Sequence, residues 1–430
     1  MPLRPHRARA ALESDQLTRL RWLVAELVPG NGFYAPRLRD AGLDRGELRS
    51  LADFTSRLPL TTKAELVADQ RQNPPYGSNL TYPLERYVRF HQTSGTSGQP
   101  LRWLDTAESW DWMLGAWMRV FEAAGLVPAD RLFFPFSFGP YLGFWAAFDA
   151  ASRYGCLALP GGGMTSKARL KVLVETGATA ICATPTYAIH LAEVAAGVGV
   201  DLARSKVHTV IVAGEPGGAV PATRERIASL WGGARVMDHH GMTEVGPVSF
   251  PNPRHPGVLH VMESSYLAEV IDPESGRALP AGEVGELVLT TLGRFGSPLL
   301  RYRTGDLVQV STRGPEELGH PETALEGGIL SRVDDMVVIR GVNLYPSAVE
   351  DVIRALPEVA EYRVELTTRG SMGEVRVEIE PVPGSLDAGE LAARLEESFR
   401  TAFQLRIPVR VVEEGMLPRF ELKARRWVRS

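Results

Sequence analysis

Thr93-Ser94-Gly95-Thr96-Ser97-Gly98-Gln99-Pro100 follows closely on a strand-like run, Tyr87-Val88-Arg89-Phe90-His91. Glycine lets backbone N–H groups turn toward an anion, and the Thr and Ser hydroxyls add donors without bulk. Such a loop suits a polyphosphate. It is not a Walker A loop, because no Gly-Lys-Ser/Thr closes it. Ser, Gly and Pro also dominate ordinary turns, so the stretch acquires meaning only from the segments that follow it.

Downstream, the chain alternates. Strand-like runs near 131–134, 156–159, 179–183, 209–213 and 235–238 are separated by helix-like runs at 167–176, 187–196 and 221–230. This alternation predicts a largely parallel sheet covered by helices, with ligands at the carboxyl ends of the strands. Gly214-Glu215-Pro216 and His239 to Glu244 fall just past two such ends. After Pro247 the pattern shifts to closely spaced strands at 258–262, 266–271, 285–291 and 306–311, which predicts antiparallel pairing and a small barrel. From 336 onward a β–α–β–β–α pattern marks a further small domain.

Upstream, residues 15–28 place Leu17, Leu20, Trp22, Leu23 and Leu27 at near-helical spacing. Thr61 or Thr62 is placed to cap a short helix through Leu66. The run 108–124 carries Trp110, Met113, Trp117, Val120 and Phe121 at core-stripe spacing.

A chain of 430 residues exceeds one hydrophobic core, so two or three domains are expected. A hydrophobic content of 44% and a charged content of 23% are ordinary for a soluble globular protein. The net charge of −4, with no long basic block, argues against nucleic acid as a partner. Only Cys156 and Cys182 are present, which is neither a disulfide framework nor a zinc-ligand spacing and fits a cytoplasmic protein. The longest uncharged run, 132–148, is too short and too broken by Pro and Gly to span a membrane. Neither an export signal nor a membrane partner is expected.

Six polar segments stand out in order: 93–100; Gly214-Glu215-Pro216; Asp238-His239-His240-Gly241-Met242-Thr243-Glu244; Tyr302-Arg303-Thr304-Gly305-Asp306; Ser331-Arg332-Val333-Asp334-Asp335 with Arg340-Gly341-Val342-Asn343; and Leu417-Pro418-Arg419 with Lys423. In this order they resemble the adenylate-forming, acyl-CoA synthetase-like superfamily. The flanking text of Arg301 to Leu307 and Ile339 to Pro346 resembles its phenylacetate–CoA ligase-like branch.

The resemblance implies an α/β fold with a large N-terminal adenylation domain and a small C-terminal α+β lid. The adenylation domain, residues 1–333, would combine parallel sheets, flanking helices and a small antiparallel β-barrel. Residues 334–430 would form the mobile lid, with the hinge at Asp334. The implied reaction has two steps: a carboxylate attacks the α-phosphate of Mg·ATP to give an acyl-adenylate and pyrophosphate, and the acyl group then passes to an acceptor, usually coenzyme A.

Carried onto these residues, the family pattern makes Lys423, Glu244, Arg332 and Thr243 catalytic. The ATP site would comprise Thr93, Ser94, Gly95, Thr96, Ser97, Gly98, Gly214, Glu215, Pro216, Asp238, His239, His240, Gly241, Met242, Thr243, Asp306 and Arg332. Displacement at phosphorus needs donors, a metal and a cation rather than a nucleophilic side chain. Glu244 suits Mg²⁺, which takes one or two carboxylates plus phosphates and water. Asp306, after a Thr-Gly turn, would accept the ribose hydroxyls, and His240 would lie against the adenine. Arg340, Gly341 and Val342 would guide coenzyme A.

The acid is suggested by Phe133 to Trp145, a run dense in aromatics. Phe138 and Tyr141, with Gly214 and His239, would line a pocket for a substituted benzoate or phenylacetate. The chain departs from the pattern at Gln99, where many relatives carry lysine, and at Leu422, where glycine is usual. Cysteines that hold structural zinc in some branch members are absent near 251–260, so no zinc is expected. Transfer to a carrier-protein thiol or to an amine or phenol in secondary metabolism stays open, as do a catalytically silent ligand-binding relative and a homodimer.

Overall fold

The computed structural model describes residues 9–44, 48–93, 100–335, 337–339, 342–369, 372–384, 388–420 and 424–429. By its contacts the chain forms two compact units, Met1–Gly162 with His239–Gly328 and Gly163–Asp238 with Ile329–Ser430.

In the first unit, helix Arg9–Leu27 buries Leu12, Gln16, Leu20, Leu23, Val24 and Leu27. The expected face is shifted, and Trp22 is 64% exposed because it falls off that stripe. Thr62 caps helix Lys63–Gln72 through a capping box with Glu65, as its sequence suggested. Thr61, just before it, bonds by its N–H to the Arg301 carbonyl (2.8 Å) and by its carbonyl to the Arg303 N–H (2.9 Å). The start of this helix is thereby pinned to the strand carrying Asp306.

Strands Tyr87–Gln92 and Arg102–Thr106 form an antiparallel hairpin. Helix Ala107–Ala123 follows, capped by Thr106, and buries Trp110, Met113, Trp117, Val120 and Phe121 as the core stripe predicted, with Leu114 beside them. Strand Arg131–Phe134 pairs in parallel with Leu157–Pro160, and helix Leu142–Tyr154 makes the crossover. That helix was not legible in the sequence. Its buried face is Leu142, Ala146, Ala147, Ala150 and Ala151, too small to stand out against the aromatic run.

Strands Tyr266–Ile271, Val284–Thr291 and Tyr302–Gln309 pair antiparallel, as do Ser249–Pro251, Val258–Val261 and Ala324–Glu326. An antiparallel bridge between Val310 and Leu325 links the two sets.

In the second unit, strand Ala180–Ala183 pairs in parallel with Thr209–Ala213, which neighbours Arg235–His239. Helices Ser166–Thr176, Pro185–Gly197 and Pro221–Leu230 intervene, so the expected strand–helix alternation is present. The C-terminal part of this unit orders its strands Val409–Val411, Met372–Pro381, Val359–Arg369 and Trp427–Arg429. Helices Pro346–Arg354 and Ala388–Phe403 pack on that sheet around Val349, Ile353, Val364, Val377, Leu391, Leu395 and Phe399. No helix among the described residues is long and apolar enough to cross a membrane.

Candidate active site

Thr93 and Leu101 stand at the open end between strands Tyr87–Gln92 and Arg102–Thr106. Thr93 donates its N–H to the Leu101 carbonyl (2.9 Å), and its hydroxyl accepts from the Leu101 N–H (3.0 Å). Thr93 therefore closes the base of the loop. Ser94, Gly95, Thr96, Ser97 and Gly98 lie outside the described residues.

Gly241–Met242 pairs antiparallel with Gly246–Pro247, which places Thr243 and Glu244 at the tip of a tight hairpin. Two buried groups fix that tip. The Tyr266 hydroxyl donates to the carbonyls of Val245 (2.9 Å) and Pro247 (2.8 Å). Arg294 donates from Nη1 to the carbonyls of Thr243 (2.9 Å) and Glu244 (2.8 Å). The same guanidinium grips Asp105 in a bidentate pair (2.6 and 2.7 Å), both side chains being fully buried. Burial opposes ionisation of Asp105, yet Arg294 holds its carboxyl below the usual range.

The Glu244 carboxylate is 7% exposed and lies 3.2 Å from Lys63 Nζ at the first turn of helix Lys63–Gln72. No group of three or more His, Cys, Asp or Glu among the described residues is arranged to hold a metal by itself. A single, nearly buried carboxylate supplies one protein ligand, and a Mg²⁺ there would be held chiefly by phosphate and water.

The two histidines differ. His239 Nδ1 donates to the Ser249 carbonyl (2.8 Å), and the ring packs on Trp117 at 4.3 Å between centroids. Burial pushes its pKa down to about 3, so it offers a neutral ring with an Nε2 lone pair. His240 donates from Nε2 to Asp306 Oδ2 (2.9 Å). Its buried Nδ1 has no hydrogen-bond partner among the described residues. With the proton on Nε2, Nδ1 carries an unused lone pair.

Asp306 is set by a bulge. The register between Val284–Thr291 and Tyr302–Gln309 shifts at Glu286/Val288, and Gly305 adopts φ +75° opposite that shift. Glu286 Oε1 accepts from the Gly305 N–H (3.0 Å), and Thr304 Oγ1 accepts from the Asp306 N–H (3.1 Å). Arg303 pairs with Glu286, and Arg301 with Glu269 at 3.0 and 2.8 Å. The arginines of the Arg301-to-Asp306 text thus hold the strand.

Phe138 is half-buried and packs on Trp145 (4.7 Å), Phe148 (5.3 Å) and Phe136 (5.4 Å). Phe136 stacks on Phe144 at 4.1 Å, and the exposed Tyr141 meets Phe144 edge-on at 6.1 Å. Phe133 and Phe134 are fully buried and belong to the core.

In the second unit, Gly214 turns with φ +96° and delivers Glu215 past the end of strand Thr209–Ala213. Glu215 Oε1 accepts from the Thr186 N–H (2.9 Å) and Oε2 from the Ala424 N–H (2.6 Å). Asp238 lies in strand Arg235–His239, Arg332 in the short strand Ser331–Arg332, and exposed Asp334 offers its carbonyl to Arg429 (3.0 Å). Val342 begins a strand paired with Val337–Ile339. Arg340, Gly341 and Lys423 lie outside the described residues.

The first unit therefore brings together His239 to Glu244 and Asp306, and the second holds Gly214 to Pro216, Asp238 and Arg332. Sequence reading missed Lys63, Asp105, Tyr266 and Arg294. Lys63 had one usable signal, its place just inside a capping box; the other three reach the hairpin across long sequence separations and carry no local mark.

Comparison with known proteins gives this arrangement a context. Residues 83–295 match the AMP-binding enzyme family, and residues 341–429 match the AMP-binding enzyme C-terminal domain. A phenylacetate–coenzyme A ligase of Pseudomonas putida is 30% identical over 96% of this chain and 93% of its own. One from Thermus thermophilus is 33% identical over 87% of this chain and 82% of its own. The crystal structure of 2-hydroxyisobutyryl-CoA ligase in the postadenylation state in complex with R3-HIB-AMP matches with a TM-score of 0.90 and 28% identity, over 100% of this chain and 94% of the other. The chain belongs to the AMP-binding, adenylate-forming enzymes, in their phenylacetate–coenzyme A ligase-like branch.

Proposed function

We propose that the protein is an AMP-forming acid–thiol ligase that activates an aromatic carboxylic acid of the benzoate or phenylacetate type and transfers it to coenzyme A. The observation that carries the reaction class is the near full-length likeness to phenylacetate–coenzyme A ligases. The acid class rests on the aromatic array from Phe136 to Phe148.

In the first step a carboxylate oxygen bonds to the α-phosphorus of ATP as the bond to the bridging oxygen breaks and pyrophosphate leaves. In the second, the coenzyme A thiolate bonds to the acyl carbon and AMP leaves. Charge develops on phosphate oxygens in the first step, so fixed donors and cations at those oxygens lower the barrier. Glu244 would hold Mg²⁺, which neutralises triphosphate charge when bound. Lys63, 3.2 Å from Glu244, adds a cation on the same side. Asp306, oriented by the bulge and by His240, would accept the ribose hydroxyls. His239, neutral across the working pH range, would face the acid without adding charge.

Residues 334–430 act in this reading as a lid that turns near Asp334, bringing Lys423 to the carboxylate and α-phosphate and later Arg340 to Val342 to the acceptor. Buried thiols at Cys156 and Cys182 suit a reducing, cytoplasmic setting.

The test is acid-dependent ATP–pyrophosphate exchange across benzoate, hydroxybenzoates, aminobenzoates, phenylacetate and a fatty acid, followed by product analysis with and without coenzyme A. Exchange confined to aryl acids and a CoA thioester product are expected. Exchange that prefers the fatty acid would defeat the pocket assignment, and exchange without thioester would move the acceptor to another thiol, an amine or a phenol.

A further inference from the structure

Glu215 directs both of its carboxylate oxygens at backbone N–H groups, one on each side of a junction. Oε1 accepts from Thr186 in the first turn of helix Pro185–Gly197, and Oε2 accepts from Ala424, the residue that follows Lys423 in the sequence. Thr186 makes a second tie to the same terminal segment, its hydroxyl accepting from Arg426 Nη1 at 3.0 Å. Arg426 is in turn fixed by Glu361 through Nε (2.6 Å) and Nη2 (3.0 Å), inside the C-terminal sheet. Two positions, 424 and 426, are thus gripped from Glu215 and Thr186. The residue immediately before the first of these is Lys423, the lysine expected to reach the reacting phosphate.

We infer that Glu215 is a positioning residue that anchors the Lys423-bearing segment to the Gly214–Pro216 turn, and that it serves acid activation but not thioester formation. The inference rests on the adenylate-forming reading above. Its physical basis is the donor count. A carboxylate takes two N–H donors without conflict, and hydrogen bonds to an ionised acceptor are the strong ones. Because the donor at 424 is the main chain, the anchor fixes the backbone beside Lys423 whatever the side chain there. Glutamine in its place would keep one acceptor and turn an NH₂ toward a second N–H.

The experiment uses the full chain as wild type, Glu215→Gln, Ala424→Pro and the double variant. Proline at 424 deletes the N–H donor without touching Glu215 or the helix it caps. Two half-reactions are measured: acid-dependent ATP–pyrophosphate exchange, and thioester formation from coenzyme A and the chemically prepared adenylate of the acid that supports exchange. Each single variant should lower the kcat of exchange about 10- to 100-fold. Thioester formation from the prepared adenylate should stay within about 2-fold. The double variant should lose less than the product of the two single losses, because both variants weaken the hold of Glu215 on the 424 N–H.

Equal losses in both half-reactions, a raised ATP KM at unchanged kcat, or additive losses in the double variant would overturn the inference. If Glu215→Gln does not fold, Glu215→Asp, whose shorter side chain cannot span both N–H groups, is measured by the same criteria, because proline at 424 also restricts Lys423 before it. Absence of exchange in folded wild-type protein would instead remove the adenylate-forming reading, a result distinct from failure of the anchor.

Discussion

The Thr243–Glu244 hairpin tip and the Ala424–Arg429 segment are each tied to a buried arginine–carboxylate pair, but the two arginines aim their remaining donors differently. Arg294, paired with Asp105, bonds the carbonyls of the hairpin tip itself. Arg426, paired with Glu361, reaches outward to a side-chain hydroxyl on helix Pro185–Gly197. The first arrangement locks a backbone into one geometry. The second docks one element on another through bonds that break singly: Ala424 to Glu215, Arg426 to Thr186, Asp351 to the Ala222 N–H (2.9 Å) and Glu350 to Thr223 (3.2 Å). A residue needed in the same place throughout a two-step reaction belongs on the first kind of support, and a residue needed in one step belongs on the second.

The largest effect tests that division at its mobile end. Lys423→Ala should lower ATP–pyrophosphate exchange by roughly three orders of magnitude, while thioester formation from preformed adenylate survives. Equal loss in both steps would break the contrast.

Next comes the fixed end. Asp105→Asn leaves Arg294 buried without its counter-charge and should cost about 3–5 kcal/mol of stability, read from urea unfolding. Whatever exchange activity survives should fall as well, since the hairpin tip that Arg294 holds carries Glu244; unchanged exchange in folded Asp105→Asn would show that the tip keeps its place without this support.

A smaller effect separates the regions by pH. His239 and His260 have folded pKa values of about 3 and 4, below the ordinary histidine value, because burial disfavours their charged forms. The unfolded chain therefore binds more protons as pH falls below about 6.5, and stability should drop from pH 6.5 toward 4 by up to about 1.4 kcal/mol per pH unit for each histidine. Glu350 behaves oppositely. Burial raises its pKa, so the fold holds its proton longer than the unfolded chain does, and its contribution falls as pH rises above the usual carboxylate range. His239→Asn should flatten the rise in stability between pH 4 and 6.5, and Glu350→Gln the opposing fall. Urea midpoints measured across pH check both, and matching slopes in the two variants would contradict these assignments. Glu322, held down to about 2 beside Arg119 and His320 despite its burial, loses its contribution only below the carboxylate range and does not confuse the window.

The smallest expected effect concerns the loop. Gln99→Lys adds a cation to the loop and should lower the KM for ATP by no more than about 5-fold. A far larger gain would mean that Lys63 does not supply the cation on that side.

The strand–helix alternation, the antiparallel shift after Pro247 and the C-terminal β–α–β–β–α pattern were legible in the sequence because each rests on local periodicity. The polar segments of the site were legible because they are contiguous: Gly241 to Glu244 and Thr304 to Asp306 are short runs whose backbone and side chains act together. What the sequence hid was support from afar. Arg294 lies 189 positions from Asp105, and Glu215 lies 209 from Ala424, distances at which no spacing rule operates. Helix Leu142–Tyr154 was hidden for a different reason, since alanines carry its buried face beneath an aromatic surface.

By itself, then, the sequence determined the class of fold, the order of the site segments and the chemistry they suit, because propensity, pattern and motif are properties of neighbouring residues. Only the tertiary structure decided that Thr93 closes its loop, that Arg301 and Arg303 brace a strand, and that Glu215 holds the chain beside Lys423. Those roles depend on which donor meets which acceptor once the chain has folded, and buried polar groups must find partners wherever the fold puts them.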